Sequence, residues 1–282
     1  MCTALVQYAS PYPSRVLRRF VWRVILLAVI AVGVLGYGSY RVLRHLQTPA
    51  PPSADQVIRD AASTAADMTS ANANFTTQVS GLTVMFGTVR ERVMPARLAT
   101  LSMTAVDGAY RFTVTEVVTG STVYVSMPSL SATFGKPWVG VPVPELGADP
   151  AMAQLYQTAA LPAAEAALIG TASTERMTGT TIVRGVPVSR YVGSINPATA
   201  QADLAPALRQ LLAPELAATT GTISFTAWID SQHNLRKIQT RATIGGRLTV
   251  TTVVVTAFNR ALRISVPQSG QVAALLIGSG TS

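Results

Sequence analysis

Cysteine is almost absent from this chain: of 282 residues only Cys2 carries a thiol, directly after the first methionine. Disulfides therefore cannot brace the fold, no thiolate metal site can form, and packing alone must hold any folded domain. Cys2 also precedes every apolar stretch, so it is not the lipidated cysteine of a bacterial lipoprotein signal. A plain free thiol is the expectation, with acylation at the cytoplasmic face as the alternative. Histidine is nearly as scarce, with His45 and His233 alone, which excludes an HExxH motif. A G-x-S-x-G elbow is missing too, so a Ser-His-Asp device lacks its nucleophile. Charge is thin, at 12% of residues against 49% hydrophobic.

What is present is first a long apolar run, Val24 to Tyr40, preceded by Arg15, Arg18, Arg19 and Arg23. Seventeen residues span roughly 26 Å as a helix, just short of a bilayer core of about 30 Å. Including Phe20 to Trp22, with Arg23 snorkelling toward the headgroups, makes up the difference. Only Arg41 and Arg44 follow closely, so the positive-inside bias puts the N-terminus in the cytoplasm. A cleaved signal peptide has the same basic start and apolar middle, but no clear A-x-A site follows. The expectation is an uncleaved single-pass anchor carrying an extracytoplasmic domain at the cell membrane.

The net charge of +9 is largely membrane-proximal. Six arginines and no acid lie in residues 1–45, leaving 16 basic against 13 acidic residues elsewhere. Anionic headgroups are the natural partner of the N-terminal excess, and no basic stripe with interleaved aromatics suggests nucleic acid.

After the run, Thr48 to Ser53 (TPAPPS) reads as a stiff spacer. Ser53 with Gln56 forms a capping-box pattern, and Val57, Ala61, Ala65 and Met68 recur at helical spacing, predicting a helix over 54–72. From Asn74 the texture alternates with period two, as strands do. Leu101, Met103 and Ala105 lead into a turn at 106–108, and Tyr110, Phe112 and Val114 return on one apolar face. A further strand fits 122–127, and Gly135 to Pro144 is expected to be irregular. Residues 151–169 read as helical with Pro162 making a break or a second start, then strands at 177–183 and 187–195. A third helix is expected at 199–213, bracketed by Pro197 and Pro214, with Leu204, Leu208, Leu211 and Leu212 as its stripe. Strands at 222–229, 235–244 and 247–258 follow, the last two joined at Gly245-Gly246. The order argues an antiparallel α+β domain with helices covering one face of the sheet.

Chemistry is hard to find in this pattern. His233 reads as an exposed turn residue. Glu116, Glu145, Glu165, Glu175, Glu215, Asp107, Asp149, Asp203 and Asp230 are scattered and read as solvated charge, so no enzyme activity, metal or cofactor is expected. Apolar surface is the remaining resource. Leu101, Met103, Phe112, Val114, Ile223, Phe225 and Ile229 lie on strands with small Thr, Ser and Ala between them. They read as a packed core or as the lining of a cavity for an apolar ligand.

From about Ser53 to Val272 the chain resembles the LppX/LprG-like actinobacterial lipoproteins, related in architecture to the LolA and LolB carriers. The resemblance rests on SADQVIRDAASTAADMTSANANFTTQVSG, on VYVSMPSLSATFGKPWVGV and on GTTIVRGVPVSRYVGSINP. It rests further on FTAWIDSQHNLRKIQTR and on FNRALRISVPQSGQV. It implies a curved antiparallel β half-barrel with helices on the concave face, enclosing a cavity for lipids or lipidated glycoconjugates, and transport of them across the envelope. Family members usually carry a lipobox cysteine, where this chain has a transmembrane run. The expected organisation is a basic cytoplasmic segment at 1–23, a transmembrane helix at 24–40, a linker at 41–53, the LppX/LolA-like domain at 54–270 and a tail at 271–282. The expected function is a membrane-anchored lipid-binding protein whose partners are lipid, membrane and an envelope transport protein. The alternative is an interaction or regulatory module of an envelope complex with a filled cavity, for which Val272 to Ile277 (VAALLI) is a candidate contact. On the first reading, Phe225→Arg is expected to abolish lipid binding while leaving the fold.

Overall fold

Ser53 starts the folded unit by capping its first helix: its Oγ accepts the backbone N–H of Gln56 at 3.1 Å. The structure, a computed structural model, describes residues 52–92, 98–143, 145 and 161–274. The expected transmembrane helix at 24–40, the helical stretch at 151–160 and the end of the VAALLI segment lie outside the described residues. Among the described residues no helix is long and apolar enough to cross a membrane.

Helix α1 (Ala54–Ala66) buries Val57, Ile58, Ala61 and Ala65, a stripe at helical spacing. Gln56 does not complete the capping box on Ser53 but donates Nε2 to Asp60 at 2.7 Å. The helix stops short of residue 72 because strand pairing claims the following residues. Ser70 Oγ donates to the Arg260 carbonyl at 2.6 Å, and the Thr69 N–H donates to Asn259 Oδ1 at 2.9 Å.

The strands are β1 (Ser70–Val79), β2 (Leu82–Arg92), β3 (Leu98–Asp107), β4 (Tyr110–Val118), β5 (Thr122–Ser126) and β6 (Trp138–Pro142) in the first part of the chain. The second part supplies β7 (Thr174–Val183), β8 (Val186–Ile195), β9 (Thr219–Ile229), β10 (Leu235–Ile244), β11 (Arg247–Phe258) and β12 (Val272–Ala274). They form one sheet in the order β12-β6-β5-β4-β3-β2-β1-β11-β10-β9-β8-β7. Two meanders are thus fused by β1 against β11, where Phe75 faces Val253. The sheet is open, with β12 and β7 at its edges, and antiparallel apart from β12, which runs parallel to β6. The α+β class and the large antiparallel sheet expected from the sequence are present.

Two-residue turns close three hairpins with both residues at positive φ, the geometry whose twist matches the flanking strands. They are Ser80-Gly81, Arg184-Gly185 and Gly245-Gly246.

Two local expectations need correcting, one pair of alternatives is resolved and one helix is additional to those expected. Trp138–Pro142 is a strand, not an irregular stretch, because Pro142 falls at its last position and Val139 and Val141 fill the core. Pro128–Phe134 is a helix, α2, with proline in its first turn and Gly135 at φ +63° as its stop. Helix α3 (Leu161–Ile169) carries Pro162 in its first turn, so of the two alternatives for that proline the helix start is the one present. The single helix expected at 199–213 is two, α4 (Pro197–Asp203) and α5 (Pro206–Ala218), because Pro206 keeps Ala205 out of helical geometry. Pro214 lies inside α5 and does not end it.

Burial is one-sided. On β9, Ile223, Phe225, Ala227 and Ile229 are buried while the residues between them are half-buried or exposed. Helix α1 packs on α3 and against β7 and β10, and α3 packs on α5, β10 and β11. Gly87 on β2 marks the tightest approach in the sheet. A Cβ there would meet the Ser102 carbonyl oxygen at 2.2 Å and Met103 Cα at 2.7 Å, both backbone atoms. Gly87→Ala is expected to cost about 2–3 kcal/mol and lower Tm by roughly 5–10 °C. Gly120→Ala, where nothing lies within 4 Å, is the neutral control in the same thermal melts.

Candidate functional site

Cross-strand register turns the helix-covered face into rows. One row runs from Tyr191 through Ala227, Ile238 and Val253 to Phe75, and on through Gly87 to Met103 and Val114. Apart from Gly87, every member is buried. The adjacent row, two residues along each strand, begins at Glu175 and passes Phe225, Thr240, Thr251, Thr77 and Met85 to Phe112. Here the cover runs out: Phe225 is 3% exposed and Thr240 8%, but Phe112 is 41% exposed. Met85 is half-buried against the core.

All seven residues singled out from the sequence share this face. Leu101, Met103 and Val114 form one group on β3 and β4, with Met103 directly opposite Val114. Ile223, Phe225 and Ile229 form a second on β9, four strands away across β2, β1, β11 and β10. Those six are buried in the hydrophobic core, and Phe112 stands at its rim.

The sequence reading missed the buried acids. Glu116, opposite Leu101, is fully buried, contrary to the expectation of solvated charge, and so is Glu91 on β2, for which the sequence carries no expectation. Glu165 of α3 is 7% exposed and reaches the sheet, where Thr240 Oγ1 donates to its Oε1 at 3.2 Å. Its Oε2 is buried and has no hydrogen-bond partner among the described residues. Burial, followed by the charge of Glu215, raises the Glu165 carboxyl to about 8, and the Thr240 hydrogen bond only partly opposes this. Glu215 on α5 keeps solvent-accessible surface, yet packing around its carboxyl pushes it up as well. An alternating pattern could have flagged Glu116, which occupies an apolar parity between Val114 and Val118. Glu165, in the sequence AAEAA, carries no such signal.

Asp230 departs in the other direction. Burial pushes it up, but the Asn234 N–H, the Arg236 guanidinium at 2.7 Å, the Asn234 amide and the Gln232 N–H together hold it below the usual carboxylate range. It organises the β9–β10 turn, where His233 Nδ1 lies 3.8 Å from Asp60. That turn is a structural device.

The architecture has solved counterparts. LprF of Mycobacterium bovis superposes with a TM-score of 0.51 at 14% identity, over 76% of this chain and 96% of its own. The chain has the LprF fold. The lipoprotein LppX of Mycobacterium tuberculosis follows at 17% identity and a TM-score of 0.49, over 77% of this chain and 100% of its own. A LolA superfamily protein of Nitrosomonas europaea matches at 10% identity and a TM-score of 0.30, over 76% and 96%. The fold assignment rests on LprF. No protein-family profile matches the chain. No curated protein matches it either.

Within the LprF fold, the helix-covered face offers apolar contact and, in Glu165, a carboxyl whose raised titration gives it a hydrogen-bond donor at pH 7 that a carboxylate lacks. Among the described residues no group of three His, Cys, Asp or Glu is placed to hold a metal ion. Because the folded carboxyl of Glu165 titrates above its unfolded value, the folded state binds the extra proton. This group's contribution is therefore most favourable below about pH 4.5 and is lost as pH rises toward about 8. Glu165→Gln keeps the acceptor for Thr240 without the ionisation, and is expected to stabilise the protein by on the order of 3 kcal/mol at pH 7 and negligibly at pH 4. Denaturant titrations across that range check this; an unchanged pH slope in the variant would contradict it.

Proposed function

We propose that the chain is a membrane-anchored, extracytoplasmic protein that binds lipid or lipidated glycoconjugates on the helix-covered face of its sheet, in envelope lipid transport. The carrying observation is that this face stays apolar past the edge of its helical cover, from buried Met103 and Val114 to half-exposed Met85 and Phe112. An acyl chain would meet Phe112 and Met85 first and continue between sheet and helices, with the sheet curving round it as a half-barrel. Each methylene taken from water contributes about 0.8 kcal/mol, so a long chain is held without polar contacts. Leu101, Met103, Phe112, Val114, Ile223, Phe225 and Ile229 line the path. The LprF fold supports this reading. The run at 24–40 would supply the anchor, with 1–23 cytoplasmic, 41–53 as linker, 54–270 as the binding domain and 271–282 as a tail.

A second reading has its own support. Ile58, Leu101, Ile169, Ile195, Ile229 and Ile238 are all under 2% exposed, so the core beneath the helices is filled. A filled core suits an interaction module of an envelope complex. Its expected contact segment is partly used within the fold, since Val272–Ala274 pair with Trp138 to Gly140 as an edge strand.

Native mass spectrometry of residues 53–282 after lipid extraction decides between the two. Near-stoichiometric bound lipid supports the carrier, and a mass that stays free of lipid after incubation with phospholipid, triacylglycerol and glycolipid supports the module. Phe225→Arg is no longer a clean probe, because at 3% exposure it would bury a charge in the core. Phe112→Arg is the substitute: it is expected to abolish lipid retention while changing stability by no more than about 0.5 kcal/mol.

A further inference from the structure

The opposite, uncovered face of the sheet carries a different chemistry. Strands β7 to β10 hold five basic residues, Arg176, Arg190, Arg236, Lys237 and Arg241, and a single acid, Glu175. Glu175 belongs to the helix-covered face, where it shares a row with Phe225 and feels Asp55 and Arg59 of α1. Three of the cations are engaged. Arg236 Nε donates to Asp230 at 2.7 Å, Arg190 Nε donates to Thr178 Oγ1 at 2.8 Å, and Lys237 Nζ stands 4.5 Å over the Trp228 ring. Arg176 and Arg241 remain, and among the described residues neither guanidinium has an ion pair or a hydrogen bond.

These two arginines flank one groove of about 660 Å³ whose lining includes Ser194, Ser224, Thr226 and Gln239 and, from the other parity, Glu175 and Phe225. Register explains the arrangement. Arg176 shares an outward row with Thr226 and Gln239, and Arg241 shares the adjacent row with Ser194 and Ser224. Three strand spacings of about 4.8 Å and a two-residue offset of about 6.8 Å put the two Cα atoms roughly 16 Å apart. The hydroxyls of Ser194 and Thr226, between them, have no side-chain hydrogen bond to a described residue, and the Gln239 amide uses its nitrogen on Thr252 at 3.1 Å.

We infer that this groove binds an extended dianion: two phosphate groups joined by a hydroxylated linker. Unpaired guanidinium groups at both ends match two anions, and the intervening hydroxyls and amide match a polyol. Phosphate, with three acceptor oxygens, uses a guanidinium fork and a neighbouring hydroxyl together more fully than a carboxylate does. Most of its lining belongs to the parity opposite the lipid face, with Phe225 and Glu175 shared, and the two guanidinium groups are what distinguish it. Both a phospholipid headgroup and a soluble phosphorylated sugar carry this chemistry.

The test uses the full chain in a non-ionic detergent, titrated calorimetrically with fructose 1,6-bisphosphate, with cardiolipin in the same detergent, and with sodium phosphate. At least one of the two bisphosphate probes is expected to bind about tenfold or more tightly than sodium phosphate, with affinity falling as salt rises. Arg176→Gln and Arg241→Gln, both at exposed positions, are each expected to weaken it about tenfold or more at unchanged Tm. Binding of the sugar alone identifies a soluble source, and binding of cardiolipin alone a headgroup; both support the site. Cardiolipin taken up through its acyl chains on the other face would be insensitive to either substitution. The inference is wrong if neither probe binds, if sodium phosphate binds equally well, or if the variants bind as the wild type does.

Discussion

The pairing of β1 with β11 is the constraint on which the rest depends. It joins residues about 180 positions apart in sequence, Asn74 with Val254 and Phe75 with Val253, and so makes one sheet of two meanders. Without it, β6 to β1 and β11 to β7 would be separate small sheets, each too narrow to seat three packed helices. Such a long-range contact carries a high loop-closure cost and is favoured only when the flanking hairpins are already in place. The backbone hydrogen bonds at its ends, from the Asn259 N–H to the Ser70 carbonyl and from the Ser80 N–H to the Leu248 carbonyl, fix the register that all the rows inherit.

Register then divides the labour between two faces. Side chains alternate, so each strand sends one set to the helices and the other to solvent, and a shift by one residue would exchange them. The covered face spends its apolar residues on a core and, at the Phe112 end, on a rim. The other face is Thr- and Ser-rich, and its β7 to β10 part carries Arg176, Arg190, Lys237 and Arg241. The proposed lipid binding and anion binding would then be largely separable properties of one sheet, since a substitution at one parity leaves most of the other untouched. Acids are buried on the covered side too, Glu91 and Glu116 on the sheet and Glu165 on α3, where burial favours the protonated carboxyl of Glu165.

Much of this was legible in the sequence. Alternation along Leu101 to Val114 and Ile223 to Ile229 gave both strand identity and the shared face, and Gly245-Gly246 marked its hairpin. The β10 and β11 bounds follow the expected ones residue for residue. Prolines misled because their meaning is positional: Pro206 begins a helix, Pro142 ends a strand, and Pro214 is accommodated inside α5 where its missing N–H is tolerated. The end of α1 was overrun because Ala71 and Ala73 suit a helix, yet tertiary pairing with Phe258 and Val255 places them in β1. Of the candidate site, the face was readable but the depth was not. Exposure of Phe112 against burial of Phe225, in the same row, follows from where the helices end. The buried state of Glu165 follows from Thr240, a residue 75 positions away.

The claim at the centre of this account is that lipid meets the helix-covered parity of the strands. Photolabelling with a lipid bearing a diazirine on its acyl chain, with the modified residues located by mass spectrometry, reads that parity directly. The account predicts labels on Met85, Met103, Phe112 and Phe225, and none on Phe86, Thr104, Thr113 or Thr226 from the same strands. Labels spread over both sets, or confined to the second, would contradict it.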